Sequence, residues 1–210
     1  MSDQDVLADL QAGVAAIRSR ASAAEEVCRI PDVTIKEMES AGFFRLLQPE
    51  RYGGRAADPA LFYECERVLA RSCGSTGWVA GVLGINTWML ALYDPRAQDD
   101  VWGADPHARI CCSIAPVGSV ERVDGGYRVS GRWSFLSGSD HTSWAIVGGM
   151  VRDEGGAPVE MRHFLLPRAD YRVDPVWDTV GLRGTGSNDN IVDGAFVPPI
   201  GRSPCSRWEP

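Results

Sequence analysis

Lysine is almost absent from this chain of 210 residues: Lys36 stands alone and arginine carries nearly all the positive charge. With 21 basic against 28 acidic side chains the formal charge is −7, and no Lys/Arg cluster interrupts it. Nucleic acid and an anionic membrane surface are therefore not expected as partners. The start, Met1-Ser2-Asp3-Gln4-Asp5, lacks the basic and apolar regions of a secretory signal, and no apolar run has the length of a membrane-spanning helix, so a cytoplasmic location is expected. The cysteines at 28, 65, 73, 111, 112 and 205 contain no CxxC pair, and the vicinal Cys111 and Cys112 point to opposite faces of a strand. Neither a zinc site nor a disulfide framework is indicated, and the cysteines read as reduced, mostly buried thiols. His107, His141 and His163 are scattered without ligand spacing and read as surface or loop residues, so no metal is expected. HExxH, a P-loop and a Ser-His-Asp order are missing as well.

What is present looks like an ordinary globular protein, with 44% hydrophobic and 23% charged residues. Val6, Leu10, Val14, Ile17, Ala21, Ala24 and Cys28 recur every three or four residues, which predicts one amphipathic helix over residues 3 to 28. After Pro31, Asp32 is placed to cap a second helix carrying Ile35, Met38 and Ala41 and stopped by Gly42. Asp58-Pro59 starts a third helix, and Asp94-Pro95 starts a short one ending near Trp102. Between them, Ser75 to Leu92 is apolar on nearly every side and predicts a buried central helix. Its Trp78 and Trp88 are candidates to line a pocket, though plain core packing would use them as readily.

From Arg109 the texture changes to β-branched and aromatic residues. Asp124-Gly125-Gly126 predicts a hairpin turn, and further strands are expected at 144 to 151, 160 to 166 and 190 to 197. The fold class is thus α+β: a helical domain over 1–108, a small β-barrel or sandwich domain over 109–199, and an atypical tail over 200–210 without periodicity of either kind.

The run Gly131-Arg132-Trp133-Ser134-Phe135-Leu136-Ser137-Gly138 alternates aromatics and hydroxyls. Strand periodicity puts Trp133, Phe135 and Ser137 on one face, a surface suited to a flat ring; a barrel core would use the same aromatics for packing. Gly181-Leu182-Arg183-Gly184-Thr185-Gly186 has glycines like those of a dinucleotide loop, but it leads into a strand and not a helix, which excludes that reading. Its glycines supply turns, and Arg183 with the neighbouring hydroxyls is a candidate for a phosphate-bearing or ring-bearing ligand.

Four segments occur in an order that resembles the acyl-CoA dehydrogenase superfamily: Ala41-Gly42-Phe43-Phe44 through Arg51-Tyr52-Gly53-Gly54, Gly74-Ser75-Thr76-Gly77-Trp78, the 131–138 run, and Asp178 to Ser187 ending in Phe196-Val197-Pro198. Thr76-Gly77-Trp78-Val79 and the run from Trp133 to His141 resemble its flavin-dependent monooxygenase branch, which includes the oxygenase components of two-component aromatic and steroid hydroxylases. The resemblance covers roughly residues 5 to 199 and implies reduced FMN or FAD as cofactor, supplied by a separate flavin reductase, and an aromatic or polycyclic substrate. It places Phe135 near the isoalloxazine and Ser137 near flavin N5, with Trp133 beside them and Ser113 on the other flavin-contacting strand. Trp78, Asn86 and Trp88 become substrate-side candidates, Asn86 standing where related hydroxylases often carry histidine. The chemistry agrees, because reduced flavin that has met oxygen is kept from decaying only where water is excluded and N5 is hydrogen-bonded.

Full-length family members continue into a C-terminal four-helix bundle that supplies their homo-oligomer core, part of the flavin site and the catalytic base. This chain is accordingly expected to be a truncated member, and no catalytic residue is assigned. The alternatives are an acyl-CoA dehydrogenase oxidising a thioester with FAD, which needs a carboxylate base, and a non-catalytic remnant of either enzyme.

Overall fold

Helices come first and strands second. The computed structural model describes residues 3–153, 155–199 and 202–204; Cys205 and most of the expected tail lie outside them. The helix expected over residues 3 to 28 is divided into α1 (Asp3–Ser19) and α2 (Ala21–Glu26). The break falls at Arg20, whose guanidinium donates to Thr34 Oγ1 at 3.0 Å and pairs with Glu37 on α3 (Asp32–Ser40). Val6, Leu10, Ile17 and Ala24 still enter one core, so the apolar spacing holds across the break. Pro31 takes the N-cap position of α3 without a side-chain cap, and Asp32 sits instead in its first turn, where a negative charge faces the positive helix end. Asp58 and Asp94 cap α4 (Pro59–Ser72) and α6 (Pro95–Trp102) as expected, accepting from Ala60 N at 2.8 Å and Arg96 N at 2.9 Å.

The apolar helix α5 (Gly74–Ala91) is not buried on every side. Val79, Ala80, Leu83 and Leu90 are buried, but Trp78 is 51% and Trp88 45% exposed. α5 packs on α4, on the strand Ile110–Val123 and on the turns at residues 43–45 and 183–185, and the exposed Trp78 and Trp88 mark the sides left open.

The strands are β1 (Ile110–Val123), β2 (Gly126–Leu136), β3 (Trp144–Arg152), β4 (Pro158–Pro167), β5 (Arg172–Asp174), β6 (Asn188–Val197) and β7 (Arg202–Pro204). They form one seven-stranded sheet in the order β5-β6-β2-β1-β3-β4-β7, antiparallel except for the β1/β3 pair. The Asp124-Gly125 turn closes the expected β1/β2 hairpin, with Val120 opposite Val129. Tyr127 on β2 meets Phe164 on β4 at 5.6 Å between ring centroids although two strands intervene, so the sheet curls around its own core as barrels and sandwiches do. Within the expected tail, Arg202–Pro204 pairs with Arg162, His163 and Phe164: backbone pairing at a free edge needs no side-chain periodicity. Leu90, Trp102, Ile110, Ile146 and Leu165 form the core that joins helices to sheet.

Two histidines depart from the surface reading. His163 is buried on β4 with Nδ1 2.9 Å from the Tyr93 hydroxyl, and burial lowers its pKa. His141 is buried beside the segment that joins α2 to α3, with Nδ1 3.4 Å from the Arg29 guanidinium and 3.5 Å from the Asp32 carboxylate. Burial first, then the charge of Arg29, pushes its pKa down to about 4, so the ring is neutral. Both are covered by residues distant in sequence, which local pattern does not reveal. No helix among the described residues is long and apolar enough to cross a membrane.

A candidate flavin cleft between helix α5 and the sheet

On α5, Trp78, Val82, Ile85, Asn86 and Met89 fall on one helical stripe and form one wall of an open cleft of about 430 Å³. Cys112, Ser113, Ile114 and Ala115 of β1 and Phe135 and Ser137 at the end of β2 form the other. The cleft lining carries no charged side chain among the described residues.

Two irregular strand segments shape the second wall. The parallel register of β1 with β3 runs to Ser113/Val147 and resumes after a bulge at Gly118/Gly149, and of the intervening residues Ile114 and Ala115 line the cleft. Trp133 pins this bulge from within the core: its indole Nε1–H donates to Gly148 O at 2.8 Å and Ala115 O at 3.2 Å. Gly118 and Gly148 make room for the arrangement, since a Cβ on the first would strike the Trp133 ring and on the second the Ile114 carbonyl.

The second irregularity lies in β2, whose register with β6 shifts between Trp133 and Leu136. The expected shared face of Trp133, Phe135 and Ser137 is therefore not found. Trp133 points into the β core, fully buried, while Phe135 swings outward, 72% exposed. Phe135 has φ +66, a left-handed conformation that costs a side-chain-bearing residue about 1–2 kcal/mol. Its ring meets Trp177 edge-on at 6.1 Å. A bulge supplies the odd residue that resets strand alternation, and it cannot be read from period-two spacing.

Ser137 follows the strand, its N–H donating to Phe135 O at 3.0 Å. Its hydroxyl accepts from Trp78 Nε1 at 2.9 Å and lies 2.7 Å from Ser187 Oγ, which lies 2.7 Å from Thr185 Oγ1. Asn86 is buried and its Nδ2 donates to Ile110 O at 3.0 Å, tying α5 to the start of β1. Burial pushes the Cys112 thiol up to about 12, so it stays protonated and is no nucleophile at neutral pH.

Five of the seven residues that the resemblance puts at flavin or substrate, Trp78, Asn86, Ser113, Phe135 and Ser137, thus border one cleft. Trp133 and Trp88 do not: the first is core, the second projects from another side of α5. Arg183 is not presented to a ligand either; its guanidinium donates to Asp178 at 2.8 Å, Thr179 O at 2.8 Å and Glu25 O at 3.4 Å, stapling its loop to α2. Sequence reasoning missed the inward turn of Thr185 and Ser187. The only signal was a run of hydroxyls interleaved with glycines.

Residues 8–103 match the family model for the acyl-CoA dehydrogenase N-terminal domain. The chain is 52% identical over 189 residues, 90% of its length and 49% of the relative's, to a flavin-dependent monooxygenase oxygenase subunit, HsaA, of Rhodococcus jostii strain RHA1. It superposes on the crystal structure of the HsaA monooxygenase from M. tuberculosis with TM-score 0.94 and 50% identity, covering 97% of this chain and 53% of that one. On XiaF from Streptomyces sp., a structure in complex with FADH2 and glycerol, the TM-score is 0.92 with 28% identity, covering 97% of this chain and 51% of that one. The chain spans about half the length of the curated relatives it matches. By its helical domain, its fold and its kinship over nine-tenths of its length, the chain belongs to the acyl-CoA dehydrogenase superfamily, on its flavin-dependent monooxygenase branch.

Proposed function

We propose that this chain carries the flavin-facing part of the oxygenase component of a two-component monooxygenase, which uses reduced flavin from a separate reductase and molecular oxygen to hydroxylate an aromatic or polycyclic substrate. The carrying observation is the convergence of Trp78, Ser113, Phe135 and Ser137 on one uncharged cleft. The residues fit a flavin ring. An aromatic held outward at positive φ with most of its surface exposed offers a flat apolar contact, and the cleft volume lies in the range of small-molecule sites. FADH2, the flavin in the XiaF structure, is the first candidate, with reduced FMN the second.

When bound, reduced flavin supplies the activation of oxygen. The chain's own residues do the rest of the work assigned to this half: Phe135 and Trp78 offer aromatic surface for the ring, and Ser137 offers its hydroxyl oxygen to the ring's polar edge. Val82, Ile85, Met89 and Ile114 offer apolar surface beside it, so a ring seated against them shields that hydrogen bond from water and strengthens it. The names of the relatives support hydroxylation over thioester oxidation. Assembly as a homo-oligomer and delivery of flavin by a reductase belong to the same proposal.

The test is an anaerobic titration of reduced FAD and reduced FMN into the purified chain, followed by an oxygen pulse with absorbance recording and product analysis on an aromatic panel. Saturable binding that Phe135→Ala weakens, with hydroxylated product, is expected. Failure of both flavins to bind would overturn the proposal.

A further inference from the structure

Behind the cleft wall three hydroxyl oxygens and one backbone carbonyl form a chain. Ser137 Oγ is 2.7 Å from Ser187 Oγ, Ser187 Oγ is 2.7 Å from Thr185 Oγ1, and Thr185 Oγ1 is 2.9 Å from Leu182 O. Oxygens this close need a proton between them, because facing lone pairs repel. Three contacts must therefore be filled from three hydroxyl protons. The carbonyl has none to give, so the last contact takes the proton of Thr185. The middle contact then takes that of Ser187, and the first that of Ser137. At the other end the indole N–H of Trp78, which can only donate, lies 2.9 Å from Ser137 Oγ. The direction of the whole chain is set by its two ends.

Ser137 thus uses its proton and one lone pair inside the protein. One lone pair remains, on a residue that borders the cleft. Ser187 and Thr185 are buried, so their hydroxyls stay committed to this chain.

We propose that Ser187 and Thr185 are positioning residues that direct the Ser137 proton inward, so that Ser137 meets a ligand in the cleft only as a hydrogen-bond acceptor and favours a ring N–H over a bare ring nitrogen. This rests on the flavin reading above, for N5 bears a hydrogen in reduced flavin and a lone pair in oxidised flavin. The relay makes the cleft selective for the reduced form through residues that never touch the ring.

The experiment is the ratio of dissociation constants for oxidised and reduced flavin, FAD and FMN each, measured anaerobically on the wild type and on Ser187→Ala. In the variant the freed Ser137 hydroxyl turns toward the cleft and donates to the oxidised ring, so the preference for reduced flavin falls about tenfold. A merely structural loss weakens both forms alike and leaves the ratio unchanged. Ser187→Thr, which keeps the hydroxyl, restores the ratio, and Thr185→Val lowers it as Ser187→Ala does. An unchanged ratio in Ser187→Ala overturns the relay. If the wild type binds neither flavin, the flavin reading falls and the relay is decided in the ligand-free protein by NMR. A hydrogen/deuterium isotope splitting on Ser137 Cβ, the mark of a slowly exchanging hydroxyl, is expected in the wild type and lost in Ser187→Ala; a Ser137 hydroxyl that exchanges rapidly in the wild type overturns it.

Discussion

Replacing Trp133 with phenylalanine separates a core role from a cofactor role at this position. The indole Nε1–H serves two carbonyls, Gly148 O at 2.8 Å and Ala115 O at 3.2 Å, and phenylalanine serves neither. Leaving buried acceptors short of a donor costs about 1–3 kcal/mol. The missing part of the indole, ~40 Å³, adds about 1 kcal/mol at the cavity cost of ~24 cal/mol per Å³. Together these amount to ~3 kcal/mol, which at about 2–4 °C per kcal/mol lowers Tm by ~6–12 °C for a chain of this size. Differential scanning calorimetry of the ligand-free chain reads this directly. The same variant frees the β1 bulge, so flavin affinity falls as a consequence of lost order in the wall. A variant with wild-type Tm and impaired flavin binding would refute the assignment of Trp133 to the core and restore it to the ring site.

Phe135→Gly should leave the Tm of the ligand-free chain close to wild type, because relief of the positive φ offsets the added chain entropy, while flavin binding in an anaerobic titration drops. Gly148→Ala drives a methyl into the Ile114 carbonyl and should lower the urea midpoint by an amount equivalent to about 1–3 kcal/mol, with loss of the cleft. For His141 the folded-state pKa of about 4 lies below the ordinary 6.5. The unfolded chain therefore binds a proton first on acidification; the stability is fully present above pH 6.5 and is lost as pH falls toward about 4, by an amount of order 3 kcal/mol. His163, also lowered by burial, acts in the same direction. Urea titrations across that window should show a shallower pH dependence in His141→Gln than in the wild type; an unaltered slope would count against a neutral buried ring.

The elements legible in the sequence were those governed by neighbours along the chain. Asp58-Pro59, Asp94-Pro95 and Asp124-Gly125-Gly126 carry their own cap and turn chemistry, and each stands where its pattern places it. The apolar stripe of α1 survives even a break at Arg20 because spacing, not continuity, decides what is buried. Illegible were features made by partners distant in sequence: the bulges of β1 and β2, the cover over His141 and His163, and the open face of α5. The site followed the same division. Phe135 and Ser137 are readable as a motif, whereas their separation from Trp133 depends on β6, and the hydroxyl partner of Ser137 is 50 residues away.

The strand order carries a consequence for how the chain reaches this fold. Strands β1 and β2, and likewise β3 and β4, close as local hairpins, but β2 is flanked on its far side by β6, with Tyr127 opposite Val197. During synthesis β2 therefore waits about 60 residues for its second neighbour, presenting a bare hydrogen-bonding edge in a nascent chain whose helical segments have already been made. Pulse-labelled hydrogen exchange would show the amides between β1 and β2 protected before those between β2 and β6, and the interval is the period in which this chain is most open to pairing with a copy of itself.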